Sequence, residues 1–167
     1  MAIITDGEKK LKNNKQKLVY MINIEELDHS DVEHKEEVIA LSKEATRYLN
    51  SFSWCEKIVS GALAEGFGYI ICIFLFEIEP SENSGADESL WIIVGDLPYA
   101  YLDTIQYKTT HEALDFYCFL MNEWIDHVRM GKSLEACYPV NVEPTLEHAN
   151  MLDSRIKLIE SEFLPKI

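Results

Sequence analysis

The amino-acid sequence predicts an α+β fold, in which a short antiparallel β-meander is packed with three or four helices. Two observations lead to this fold class. Apolar residues recur every three to four positions in three long segments, a spacing typical of helices with one buried face. Between the first and second of these segments, short apolar runs alternate with Gly-, Pro- and Ser-containing stretches, which favour strands joined by turns.

The first helix is predicted to begin at Ser30, which has capping-box spacing to Glu33. Its apolar positions then follow at helical intervals: Val38, Leu41, Ala45, Tyr48, Leu49 and Phe52. The short apolar stretch before it, residues 18–24, fits either a strand or the start of a helix, and both alternatives stay open.

Three strands are predicted in the middle of the chain, at residues 58–63, 69–78 and 90–94. The first two flank a turn at residues 64–68, so that Gly61, Gly66 and Gly68 are interpreted as hairpin glycines rather than a phosphate-binding loop. The second and third strands lack polar alternation, which indicates burial on both faces. We therefore expect residues 69–78 to be the central strand, paired with both of the others.

Two further helices are predicted after the strands. Thr109 and Glu112 form a second capping-box pair, and Gly131 is placed to end that helix. The last helix is expected to start near Pro144 and to end at Pro165. Without an internal repeat or a second boundary, the sequence predicts a single α+β domain over residues 18–167, preceded by a flexible basic arm at residues 1–17.

Charge is divided unevenly along the chain, which carries 15 Lys+Arg against 29 Asp+Glu, a net −14. The arm has five lysines and two acidic residues, so the remainder carries −17. Such a body repels nucleic acid and anionic membranes and attracts basic proteins, so the expected partner is a basic protein. No apolar run is long enough to cross a membrane and no signal peptide is visible, which predicts a cytoplasmic protein with four reduced cysteines.

Histidines beside carboxylates are the first candidates for chemistry. The pairs Glu26/His29 and Asp31/His34 have the spacing seen in di-metal bundles, but both fall in one hydrophilic connector, which favours a solvated acidic segment. Glu123 and His127 are four residues apart on a helix, where they could form an acid/base dyad, but a surface hydrogen-bonded pair is the favoured interpretation.

Cysteine is the other candidate for chemistry. Cys55 lies beside Glu56, whose negative charge would raise the pKa of the thiol and so oppose nucleophilic catalysis. From these patterns we predict no enzyme: no catalytic residue, no cofactor and no metal site.

The strongest candidate for partner binding surrounds a Gly-Asp-Leu-Pro sequence at residues 95–98. Tyr99 and Tyr101 alternate with small or apolar residues, so both phenols are expected on one side, close to Asp96 and Asp103. Tyrosines beside acidic residues are typical of protein-interaction hot spots. The alternative is that the aromatic side chains simply cap the edge of the sheet.

Residues 51–102 and 139–144 resemble a group of uncharacterised bacterial proteins, most specifically in the Gly-Asp-Leu-Pro-x-Ala-Tyr-Leu element at residues 95–102. The resemblance covers residues 45–164 and implies no catalytic residues. The chain's size and acidity also make it similar to the immunity proteins that bacteria use against secreted toxins. We therefore expect an acidic intracellular protein-binding module, an immunity-type protein that masks a basic toxin partner. The alternatives are a structural subunit of a homodimer without catalysis, and a small metal-dependent enzyme.

Overall fold

Strands dominate the first two thirds of the chain and helices the last third. The computed structural model describes residues 10–12 and 18–167, which divide into two units on either side of the Thr109–Thr110 bond. The strands are β1 (Lys10–Lys12), β2 (Leu18–Tyr20), β3 (Ile22–Asn23), β4 (Cys55–Phe67), β5 (Ile71–Pro80), β6 (Ser89–Gly95) and β7 (Ala100–Asp103). The α-helices are α1 (Lys35–Asn50), α2 (Thr110–Met130) and α3 (Leu146–Leu158). Short 3₁₀ and π segments occupy Ile24–His29, Ile159–Phe163 and Leu164–Lys166.

The first unit contains a five-stranded antiparallel sheet in the order β3-β4-β5-β6-β7. Consecutive strands are neighbours throughout, so the sheet is a meander. The α+β fold class predicted from the sequence is confirmed. The central place of the second predicted strand is confirmed as well, because β5 pairs with β4 on one side and β6 on the other.

Strand β4 is longer than predicted, and the turn after it is displaced. It continues through Gly61 and Gly66 to Phe67, and the chain turns at Gly68, whose φ of +61° suits glycine. Gly61 lies opposite Phe76, and a Cβ on Gly61 would be 2.7 Å from the Phe76 ring. Gly61 is therefore an interior strand glycine covered by the Phe76 ring on the neighbouring strand, and not the hairpin glycine that the sequence predicted.

The predicted start of the first helix at Ser30 is wrong. The Ser30 hydroxyl donates a 2.7 Å hydrogen bond to the Leu27 carbonyl, so this residue closes the preceding 3₁₀ turn. Helix α1 begins after His34, which has a left-handed backbone (φ 53°) and makes no side-chain cap. Residues 18–24, for which strand and helix were both open, mostly form strands, with a 3₁₀ turn beginning at Ile24.

The core of the first unit lies between α1 and one face of the sheet. This face and the helix contribute Val38, Ala45, Leu49, Cys72, Phe74, Phe76, Leu90, Ile92 and Val94, all buried. The alternate residues Ile71, Ile73, Trp91 and Ile93 are also buried, so β5 and β6 are enclosed on both faces, as their continuous apolar runs predicted. The Trp91 indole N–H donates a 2.7 Å hydrogen bond to the Tyr107 carbonyl.

The second unit is built on α2 and α3. The Arg129 guanidinium donates hydrogen bonds to Asn150 and Asp153, which hold the end of α2 against α3. Gly131 follows α2 with φ +62° and donates its N–H to the Val128 carbonyl, which confirms the predicted helix end. Helix α3 begins just after Pro144, with the Thr145 hydroxyl accepting the His148 N–H.

The predicted arm at residues 1–17 is described only at β1, which pairs with β2; its other residues lie outside the described part of the chain. The single domain expected for residues 18–167 stays a prediction. Among the helices of residues 10–12 and 18–167, none has the length and apolarity needed to cross a membrane.

Replacing Phe74 with Asp should prevent soluble expression. Phe74 has no exposed surface and sits in the central strand between Leu63 and Ile92, so an unpaired carboxylate there loses its hydration without compensation. Tyr69→Asp, in the adjoining turn where the side chain is 58% exposed, is the control and should express normally. Soluble yield and thermal melting are the measurements; wild-type behaviour of Phe74→Asp would contradict the central place of β5.

Gly95→Ala should lower the free energy of unfolding by more than the roughly 1–2 kcal/mol of an unfavourable backbone conformation alone. A Cβ on Gly95 would overlap the Ile70 carbonyl oxygen, and φ is +153°. Gly85→Ala is the control, because Gly85 also has positive φ (+71°) but open space around it. Urea denaturation measures both variants, and equal losses would mean that the Gly95–Ile70 approach is unimportant.

Candidate partner-binding surface

Tyr101 and Asp103 lie on the edge strand β7, and Tyr99 directly precedes that strand. Strand register sets Tyr101 opposite Ile92 and Asp103 opposite Leu90. Because Ile92 and Leu90 belong to the core face under α1, the alternation of side chains places Tyr101 and Asp103 on that face. Tyr99 packs against the same core. The Tyr99 and Tyr101 rings both lie near the Tyr48 ring, which agrees with the expectation that the two phenols lie on one side.

Five aromatic side chains meet where α1 ends, and we call this set the aromatic cluster: Tyr48, Phe52, Trp54, Tyr99 and Tyr101. The Tyr101 ring lies 5.1 Å from Phe52 and 5.1 Å from Trp54, both in edge-to-face geometry. Phe52 and Trp54 stack at 4.9 Å. All five rings are partly buried, so each combines packing with a surface that a partner can contact.

The local sequence explains how α1 supplies its share of the cluster. Tyr48 and Phe52 are four residues apart, which brings their rings to 5.0 Å across one helical turn. The chain then turns tightly, with the Cys55 N–H donating to the Phe52 carbonyl, and this turn returns Trp54 to the Phe52 ring. These three residues were not singled out from the sequence as partner-binding, because an aromatic residue on a helical stripe is equally typical of a core.

Asp96 and Asp103 do not lie together. Gly95, beside Asp96, is at one end of β6, and Leu90, opposite Asp103, is near the other. Gly95 and Leu90 are five residue steps apart, which corresponds to about 17 Å of strand at ~3.4 Å per residue. Asp96 and Asp103 therefore lie towards opposite ends of β6 and do not form one acidic pair.

The two acidic residues have different surroundings. Asp96 is exposed, and its backbone N–H donates a 3.0 Å hydrogen bond to the Ile70 carbonyl. Asp103 is partly buried, and its Oδ1 accepts a 2.6 Å hydrogen bond from the Gln106 N–H, which stabilises the turn after β7. Burial, together with the Asp103 charge, raises the pKa of the Tyr107 phenol.

Glu44 adds a further negative charge beside the cluster. Burial and the Glu44 carboxylate raise the pKa of Tyr99, and the Arg47 guanidinium opposes this effect. Glu44 and Arg47 themselves form an ion pair one helical turn before Tyr48. Tyr99 is thus a neutral phenol at physiological pH, able to donate a hydrogen bond to a partner.

The cysteines are poor nucleophiles. All four are buried free thiols, and burial raises the pKa of Cys72 and of Cys118 to about 12. Burial also raises the pKa of Cys55. The direction expected for Cys55 is confirmed, but its cause is desolvation rather than the neighbouring Glu56. At neutral pH these thiols carry almost no thiolate, the form that attacks substrates.

The histidine pairs are dispersed rather than assembled. His127 Nδ1 lies 2.6 Å from the Ser133 carbonyl oxygen, so the loop after α2 orients this ring. His29 ends a 3₁₀ turn and His34 precedes α1. Within residues 10–12 and 18–167, no three His, Cys, Asp or Glu side chains are grouped as ligands for a metal ion.

Comparison of the chain with protein-family models, with curated proteins and with solved structures finds no match. The resemblance to an uncharacterised bacterial group stays a prediction.

Tyr101→Ala should destabilise the protein by about 2–4 kcal/mol, and Tyr99→Ala by clearly less, because each aromatic contact contributes about 0.5–1.5 kcal/mol beyond burial. Tyr101 contacts three rings of the cluster, whereas Tyr99 lies 5.7 Å from Tyr48. Chemical denaturation gives both values. Equal, small losses for the two variants would show that the cluster contributes little to folding.

Proposed function

We propose that this protein is an acidic protein-binding module that holds a basic protein partner. The observation that supports the proposal best is the aromatic cluster, which is partly exposed, with Asp96 and Asp103 towards opposite ends of β6. Binding hot spots combine large, rigid aromatic side chains with polar groups at their margin. Such a surface contributes affinity through the rings and selectivity for positive charge through the carboxylates.

The distribution of charge also favours this surface. Residues 18–109 hold 17 acidic and five basic side chains, a net −12, whereas residues 110–167 carry −5. With the +3 of residues 1–17 included, the unit that contains the aromatic cluster carries −9 and is the more negative of the two. A field of this sign accelerates the approach of a basic protein and opposes the approach of nucleic acid.

A toxin domain that acts on nucleic acid is one partner of this chemistry, because proteins that contact phosphates carry clustered positive charge. An immunity-type role would consist of occupying that basic surface before it reaches its substrate. All four cysteines are free, which suits a reducing compartment such as the cytoplasm. We place the protein there as part of the same proposal.

The structural homodimer remains the alternative, but one route to it is disfavoured. Strand β4 is irregular where it pairs with β5: its register shifts at Cys55/Lys57, at Ile58/Ser60 and at Leu63/Glu65. On its other side, β4 is paired with β3 only at Ala62 and Leu63. Irregular edges of this kind oppose strand addition by a second copy.

The proposal is tested by capturing the partner from the native host and measuring its association at increasing salt. The association rate should fall steeply between low and physiological ionic strength, because exposed charges are screened beyond ~8 Å at 0.15 M. Tyr99→Ala or Asp96→Asn should weaken affinity, the tyrosine by ~30-fold or more if it is a hot spot.

Glu147→Gln, which removes one exposed charge from the other unit, is the matched control and should leave affinity nearly unchanged. An acidic partner, or association rates independent of salt, would overturn the electrostatic mechanism. Unchanged affinity in both Tyr99→Ala and Asp96→Asn would place the binding surface elsewhere.

A further inference from the structure

We infer that single-residue bulges at Glu56 and Val59 keep the outer edge of β4 from pairing with the same edge of a second copy of the chain. The outer edge is the side of β4 that faces away from β5. The inference goes beyond the proposed function and does not depend on the identity of any partner. It follows from the register of β4 on its two sides.

Strand β4 has a long outer edge, of which a neighbouring strand pairs with only two residues. On the inner side β4 pairs with β5 from Cys55 to Phe67, whereas on the outer side β3 pairs with Ala62 and Leu63 alone. Among the strands of the described part of the chain, none pairs with residues 55–61 on that side. A strand edge without a neighbour is a template for pairing with another chain.

Val59 is an extra residue in the ladder between β4 and β5. Its neighbours Ile58 and Ser60 pair with Ile78 and Glu77, which are consecutive, so Val59 has no residue opposite it. The Val59 side chain is 56% exposed. An extra residue of this kind is a β-bulge, which bends the strand, increases its local twist and can end the pairing beside it.

The register shifts in the same way at Glu56 and at Ala64, so three bulges divide β4 into short regular runs. These runs are residues 57–58, 60–63 and 65–67. Strand β3 pairs within the longest run, and its pairing ends at Leu63, directly before the bulge at Ala64. The pairing already present on the outer edge is therefore confined between two bulges.

The residues left without a neighbour between Glu56 and the β3 pairing form two separate runs. Residues 57–58 lie before Val59 and residues 60–61 lie after it, so each run contains two residues. Strands in proteins are usually about 3–10 residues long. Each run is therefore too short to pair with a second copy, whereas the two runs joined would be long enough.

Other features that protect a strand edge are weak in residues 55–61. The segment contains no proline, and its one lysine, Lys57, is balanced by one glutamate, Glu56, so its net charge is zero. Ile58 and Val59 are β-branched residues, which favour strands. Since neither proline nor like charge blocks this edge, the bulges are the feature that does so.

Deleting Val59 tests the inference, because the deletion removes the bulge and keeps the register. Ile58 and Ser60 would become consecutive, as their partners on β5 already are, so each keeps its partner and its face of the sheet. Sedimentation equilibrium at several protein concentrations in 0.15 M salt gives the mass in solution. The deletion variant should reach twice the mass of the wild-type chain and return to the wild-type mass on dilution. Deleting Glu56 as well should shift this association to lower concentration.

Three further variants identify the cause and the place of the association. Val59→Ser keeps the bulge and removes the exposed apolar side chain, so its mass should equal that of the wild-type chain. Deleting Gly85, which lies in a loop with open space around it, is the control for a deletion outside β4. Adding Lys57→Glu to the Val59 deletion gives both copies two like charges on the edge, so the mass should return to the wild-type value.

Each outcome decides the inference. Wild-type mass for the Val59 deletion at every concentration would overturn it, and so would an association that Val59→Ser shares or that Lys57→Glu leaves unchanged. If the Val59 deletion loses its cooperative thermal melting, the deletion of Glu56 alone, near the end of β4, decides instead. Reversible doubling of mass in that variant supports the inference; wild-type mass or loss of folding in that variant overturns it.

Discussion

Burial of β5 on both faces is the constraint on which the first unit depends. From Ile71 to Phe76 every side chain is buried, and removing large apolar side chains from water contributes about 1.5–3 kcal/mol each. A strand of this kind must be central, so β4 and β6 are fixed beside it and β7 follows as the edge. The apolar stripe of α1 then covers one face of the sheet. The aromatic cluster forms at the end of α1 because Tyr48 and Phe52 extend past the aliphatic core towards β7.

The central strands and the long helices could be predicted because their signals are local. The unbroken apolar run of β5 indicates burial directly. Gly131, after α2, indicates the end of that helix directly. The helix start predicted at Ser30 was wrong because a serine can serve either end of a helical segment. Its hydroxyl can accept a hydrogen bond at a helix start or, as here, donate one at the end of a 3₁₀ turn, and the local sequence is the same in both cases. The length of β4 was missed because Gly61 is sheltered by Phe76, a residue fifteen positions later that only the paired sheet brings near.

The candidate surface was predictable in part for the same reason. Alternation predicted Tyr99 and Tyr101 on one side, and both rings lie near the Tyr48 ring. The separation of Asp96 from Asp103 depends on the length of β6, which no residue within the Gly-Asp-Leu-Pro sequence reports. Glu44 joins the surface through the docking of α1, and Trp54 joins it through the turn that follows this helix, so neither contribution had a signal in the sequence.

The buried thiols have a consequence for how the two units can be studied. Cys72 belongs to the strand-rich unit and Cys118 to the helical unit, and burial raises the pKa of each thiol to about 12. Each thiol becomes reactive only when the structure around it opens to water. The rate of alkylation under native conditions therefore reports how often that opening occurs. Equal alkylation rates for Cys72 and Cys118 would indicate that the chain unfolds in a single event. Different rates would indicate that the two units open independently.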